Sequence, residues 1–293
     1  MADNLGSLCW YTIRDQEIAR DDITQKLVAA GLDAAFTPRR TAPSDAFRRA
    51  VRDSEYRKVP LFGGSFANLL LRYVGYSKDE LVCHVVREVV DADNKRLSYQ
   101  QVTEVGLDRR DNHIYRKDLR NGFFFEEPDI ATAVAERYDR YLDSYNGSHL
   151  RIIVHDVLRT LNPIAVRPTG GVYFVPEEGE ATLRKLQAFV KSLGGESDMW
   201  IMPVLDNQDA RMVVRSTLDA EVSSTSSQVI DDLKRMLQRK GEVSEADQRR
   251  ALMELHRLQD LTTRYEGLLQ DKLLDAQSRL DVAILQVKNL LAA

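Results

Sequence analysis

The last ninety residues constrain the fold more than any other part of the chain. There is no proline after Pro203, and the only glycines there are Gly241 and Gly267, so little interrupts helix formation. From Ala251 the positions Leu255, Leu258, Thr262, Tyr265, Leu269, Lys272, Ala276, Leu280, Ala283, Val287 and Leu290 follow in steps of four and three. Only Thr262 and Lys272 among them are not apolar. That spacing, kept over five heptads, is a coiled-coil pattern. Asn207 to Lys240 reads as a preceding helix, with Val214, Leu218, Val222, Val229, Leu233 and Met236 on one side. Gly241 separates the two, and Ser244-Glu245-Ala246-Asp247 offers a cap. The expected product is an antiparallel helical hairpin of roughly 33 residues, about 50 Å long at 1.5 Å per residue. Ser223 to Ser227 is its weak point, because hydroxyl side chains compete for backbone hydrogen bonds. Leu255, Leu258, Tyr265, Leu269, Leu280 and Val287 are the expected contacts with a second copy or a protein partner.

The rest of the chain mixes periods. Leu8 to Ile13 reads as a strand, and Ile18, Ile23, Leu27 and Val28 as a helix stopped by Gly31. Ser44 is placed to cap a helix running through Arg57, with Phe47, Ala50 and Val51 facing the core, and Phe66 to Tyr73 reads as a short apolar helix. Leu81 to Val90, Arg96 to Leu107 and His113 to Lys117 are rich in Val, Tyr and Thr and alternate with turn-like separators, which predicts a three-stranded antiparallel meander. Phe123 to Phe125 is a core-packing aromatic run. Helices follow over Ile130 to Leu142 and His149 to Leu161. A hairpin then pairs residues 164–167 with 172–175 around Pro168-Thr169-Gly170-Gly171, followed by a helix from Glu180 to Leu193 and a strand from Met199 to Leu205 that Pro203 assigns to an edge. The class is therefore α+β. The expected divisions are 1–122, 123–205 and a helical arm 206–293.

With 293 residues, 43% hydrophobic and 29% charged, wholesale disorder is excluded. No apolar run reaches the roughly 20 residues of a membrane span. Met1 to Ser7 shows no secretory pattern, and two cysteines, Cys9 and Cys83, point to a reducing compartment, so a cytoplasmic setting is expected.

Chemistry-bearing motifs are sparse. Gly63-Gly64-Ser65 lacks the spacing and lysine of a phosphate-binding loop, the cysteines stand alone, and no GxSxG occurs. No catalytic residue, metal or cofactor is assigned, and the chain reads as non-enzymatic.

Two basic features support an alternative, nucleic-acid binding. Arg39, Arg40, Arg48, Arg49, Arg52, Arg57, Lys58 and Arg72 exceed three acids between Phe36 and Tyr73, a local net of +5 in a chain of net −4. The helix–helix–hairpin order over 130–176 also matches a winged helix-turn-helix, with Arg151, His155 and Arg159 along the second helix and Arg167 near the hairpin tip. The helical arm itself is balanced, at thirteen basic and fifteen acidic residues from Asp206, which suits helix pairing better than nucleic acid.

The motif Ala165-Val166-Arg167-Pro168-Thr169-Gly170-Gly171-Val172-Tyr173-Phe174-Val175-Pro176, followed by Trp200-Ile201-Met202-Pro203, resembles a family of phage and prokaryotic proteins of unknown function. The resemblance runs from Pro128 to Leu290, and it implies a mobile-element or host–phage setting without supplying a catalytic residue. The leading expectation is an interaction or scaffold protein that uses its helical arm.

Overall fold

The computed structural model describes residues 4–61, 63–118, 128–167, 171–240 and 242–292. In chain order the elements are β1 (Asn4–Thr12), β2 (Ile18–Ala19), α1 (Arg20–Ala29), α2 (Pro43–Asp53), β3 (Tyr56–Pro60), β4 (Phe66–Tyr76), β5 (Glu80–Val90), β6 (Arg96–Asp108) and β7 (His113–Asp118). Next come α3 (Ile130–Asp143), β8 (Ser144–Tyr145), α4 (Gly147–Arg159), β9 (Ile164–Ala165), β10 (Tyr173–Pro176), α5 (Glu180–Ser192), β11 (Asp198–Leu205), α6 (Gln208–Lys240), α7 (Glu245–Leu269) and α8 (Leu274–Ala292). The sheets are antiparallel and the class is α+β, as expected. Two compact units form: Met1–Asp15 with Thr24–Phe36 and Gly147–Ala293, and Gln16–Ile23 with Thr37–Asn146. The first unit thus draws on all three of the consecutive stretches marked out in the sequence.

In the first unit β1 lies between strands far away in sequence, in the order β11-β1-β10-β9. Gly6 permits the close approach of β1 and β10, because a Cβ there would sit 2.4 Å from the Val175 carbonyl oxygen and 2.6 Å from the Phe174 ring. Leu8 stands opposite both Phe174 and Met202, and Trp10 opposite Trp200. Ser7, Cys9, Val175 and Met199 alternate to the other face and are buried. So are the apolar faces of α4 (Leu150, Ile153, Val154, Val157, Leu158) and α5 (Leu183, Leu186, Phe189, Val190). The three C-terminal helices share one core with the sheet, in which Leu5, Ile164 and Phe174 join Val214, Leu218, Leu255, Leu258, Tyr265, Leu280 and Val287.

The second unit is a five-stranded meander in the order β3-β4-β5-β6-β7. Helices α2 and α3 pack on one of its faces. Phe47, Ala50 and Val51 from α2 and Val134, Tyr138 and Tyr141 from α3 meet Leu69, Leu71, Leu81, Cys83, Val85, Val105 and Leu107. A two-residue ladder pairs Ile18 with Tyr145.

Several expectations need correction. Phe66 to Tyr73 lies in strand β4, not a helix. Leu69, Leu70 and Leu71 are all buried, which a strand covered on both faces permits, so the run carried no alternation to read. Helix α2 ends at Asp53, before Arg57, and begins with Pro43 at its first turn, so Ser44 is not its cap. Val28 is exposed, and Ile18 belongs to β2. The long C-terminal helix is two helices. Gln270 takes a left-handed conformation (φ 51°, ψ 35°) that ends α7, and the Glu266 carboxylate accepts from the Leu273 N–H and the Gln277 amide to hold the turn into α8. A three-helix bundle therefore replaces the two-helix hairpin. Helix α6 runs unbroken through Ser223 to Ser227. Gly122, Phe123 to Phe125, the hairpin tip Pro168-Thr169-Gly170 and Gly241 lie outside the described residues.

Candidate functional site

The basic segment is largely neutralised within its own unit. Arg48 pairs with Asp45 at 3.1 Å, Arg52 with Asp53 at 3.1 Å, Arg57 with Glu55 at 3.3 Å and Arg40 with Asp143 at 3.8 Å. Arg49 is turned inward, with its guanidinium 3.8 Å from the Tyr141 ring centroid and paired with Glu17, which Arg140 also reaches at 3.1 Å. Only Arg39 of the six carries no ion pair among the described residues. Counted over the whole second unit, 20 basic side chains face 21 acidic ones, so the local +5 belongs to the sequence window and not to the folded body.

The winged-helix order does not form one module. Helix α3 belongs to the second unit and α4 to the first, and the hairpin strands are half of a four-stranded sheet. Arg151 donates to the Ile13 carbonyl at 2.7 Å, a tie within the fold. Arg159 and Arg167 are exposed, but no groove-reading helix presents them together.

The expected interaction residues are also placed inside. Leu255, Leu258, Tyr265, Leu269, Leu280 and Val287 are all buried in the bundle and its contact with the sheet. The Tyr265 hydroxyl donates to the Asn162 carbonyl at 3.0 Å, and its ring lies 6.2 Å from that of Phe174. The heptad pattern is satisfied by α6, α7 and α8 against each other, because the turn at Gln270 folds the seam back on itself.

The surface left open is on the first unit's sheet. The chain's two tryptophans, Trp10 and Trp200, sit directly opposite on β1 and β11 and stack with centroids 6.2 Å apart and planes 16° from parallel. Trp200 is 42% exposed, and Met202, two residues along the same face, 48%. Farther along this face, Leu8, Phe174, Ile164 and Val204 line an apolar cleft of about 300 Å³ against the first turns of α6, where Val213 is exposed. Strand β11 is an edge, yet its edge is blunted: Pro203 lacks a donor, and the Gln187 amide occupies the Met199 carbonyl at 2.7 Å. The face is thus more available than the edge. Sequence reasoning placed both tryptophans on strands without singling them out; that both of the chain's tryptophans fall on strands was the signal.

Among the described residues no group of three His, Cys, Asp or Glu side chains is placed to hold a metal ion, and no helix is long and apolar enough to cross a membrane. Both cysteines are buried, and burial pushes each thiol up to about 12, which removes them as nucleophiles at neutral pH.

No curated protein and no solved structure matches the chain. One family model does, over residues 4–293. It covers the N-terminal half as well as the hairpin and helices on which the resemblance rested. The chain belongs to the family of unknown function DUF6744.

Proposed function

We propose that this protein is a non-enzymatic interaction protein that self-associates, with the open face around Trp10, Trp200 and Met202 as its contact surface. The observation that carries the reading is the stacked tryptophan pair on an uncovered sheet face. Tryptophan is the side chain most enriched at interface hot spots, and soluble proteins rarely leave large contiguous apolar patches open. A second copy is the favoured occupant because a two-fold interface lets one patch serve both sides. The flanking cleft adds depth for an apolar side chain. The reading keeps the scaffold role expected from the sequence and moves its surface from the helical seam to the sheet. The pairing of Arg48, Arg49, Arg52 and Arg57 with carboxylates favours it over nucleic-acid binding.

Light scattering over a concentration series tests it. The intact chain should approach twice its 33.4 kDa mass, and Trp200→Glu should return it to monomer by weakening association at least thirtyfold, a hot-spot loss of about 2 kcal/mol. A monomeric mass at every concentration would sink the proposal.

A further inference from the structure

A groove runs along the outer side of α6 and α8. Its upper part, about 320 Å³, is lined by Ser223, Ser226, Ser227 and Ile230 from α6 and by Ser278, Arg279, Val282, Ala283 and Gln286 from α8. It continues, sharing Ile230 and Gln286, into a part lined by Lys234, Asn289 and Leu290. Helical spacing explains the convergence: residues 223, 227, 230 and 234 fall on one face of α6, and 278, 282, 286 and 289 on one face of α8.

Small hydroxyl residues at a helix crossing ordinarily serve close packing. Two observations separate this groove from that role. Ser226 is 6% exposed, and its hydroxyl has no hydrogen-bond partner, a state that buried hydroxyls avoid. Arg279 and Lys234 carry no ion pair among the described residues, although Asp275 precedes Arg279 by one helical turn and Asp231 precedes Lys234 by three residues. The lining as a whole offers four hydroxyls, two amides and two cations and contains no carboxylate. That is a notable local balance in a unit whose 21 basic residues face 24 acidic ones.

We infer that this groove binds a tetrahedral oxyanion, inorganic phosphate or the phosphate of a monoester, with Arg279 as its main cation and the Ser223, Ser226 and Ser278 hydroxyls as donors. A guanidinium with flanking hydroxyls matches the geometry and charge of phosphate oxygens. Lys234 lies along the groove, where it meets the remainder of a longer ester. The inference is independent of the tryptophan face.

The test titrates the full chain with inorganic phosphate and, separately, glucose 6-phosphate, at fixed ionic strength, following backbone amide shifts in α6 and α8. Saturable shifts centred on Ser226 and Arg279 are expected, weakened at least tenfold by Arg279→Gln and about threefold by Ser226→Ala. Ser224→Ala, an exposed hydroxyl on the same helix, should leave them unchanged. Binding of the ester alone, or tighter binding of the ester, identifies a phosphomonoester as the ligand, and equal binding the free anion. Absence of saturable shifts with both, or an affinity unchanged in Arg279→Gln, overturns the inference.

Discussion

Replacing Tyr265 tests whether the helical bundle and the sheet share one core. Its ring is fully buried between α7 and the sheet, tilted 58° to Phe174, and its hydroxyl satisfies the carbonyl of Asn162, a residue with φ of 52° just before β9. Tyr265→Phe keeps the ring and strands that carbonyl, which should cost about 1–2 kcal/mol. Tyr265→Ala also removes the ring and leaves a cavity at the junction, at a cost of about 3–5 kcal/mol. Urea unfolding followed by tryptophan fluorescence is the suitable assay, because Trp10 and Trp200 both lie in the sheet of this unit. The midpoint should fall in both variants with the slope preserved. Burial, followed by the charges of Glu221 and Glu178, holds the Tyr265 phenol well above its ordinary range. Its folded-state pKa is raised, so this contribution is complete below pH 10 and declines as pH rises above it. If Tyr265→Ala unfolds within 1 kcal/mol of the wild type, the bundle does not pack on the sheet and the burial argument fails.

Other expectations are more local. Neither Cys9 nor Cys83 should react with a thiol reagent at pH 8 in the native protein, and both should react in denaturant; rapid native labelling would contradict their burial. Asp129 caps α3, accepting from the Ala131 and Thr132 amides, the Thr132 hydroxyl and Arg116. Burial raises its pKa, but the Thr132 and Arg116 hydrogen bonds outweigh that and leave it lowered. Asp129→Ala should therefore cost about 1 kcal/mol near neutrality, and the difference should fade in acid as pH drops through the depressed folded-state value; a pH-independent difference in urea midpoints would contradict this. Gly171 has φ of 64° with open space around it, so Gly171→Val should destabilise by about 1–3 kcal/mol through backbone strain alone, and an unaltered melting curve would refute the strain argument.

What the sequence made legible was local. The meander over β5 to β7, the hairpin of β9 and β10, the helix over Glu180 to Leu193 and the edge position of Pro203 all carry their signals within a few residues. What it did not make legible was non-local or degenerate. Strand β4 is apolar on both faces, so its period could not be read. The end of α7 depends on Gln270 adopting a left-handed conformation that its residue type does not announce. The position of β1 between β10 and β11 arises from pairings more than 160 residues apart. The same limit explains the site residues. Heptad positions such as Leu258 and Val287 announce burial against a helix but not whose helix, and the arginines of α2 announce charge but not the carboxylates that fold against them.

The central claim is that the uncovered tryptophan face joins two copies of the chain, and the most direct measurement is the solution mass of the wild type beside Trp200→Glu. We predict a concentration-dependent rise toward twice 33.4 kDa for the wild type, with a blue-shifted tryptophan emission as Trp200 leaves water, and a constant monomer mass for the variant. A wild-type mass that stays monomeric, or a dimer that Trp200→Glu leaves intact, would contradict the account.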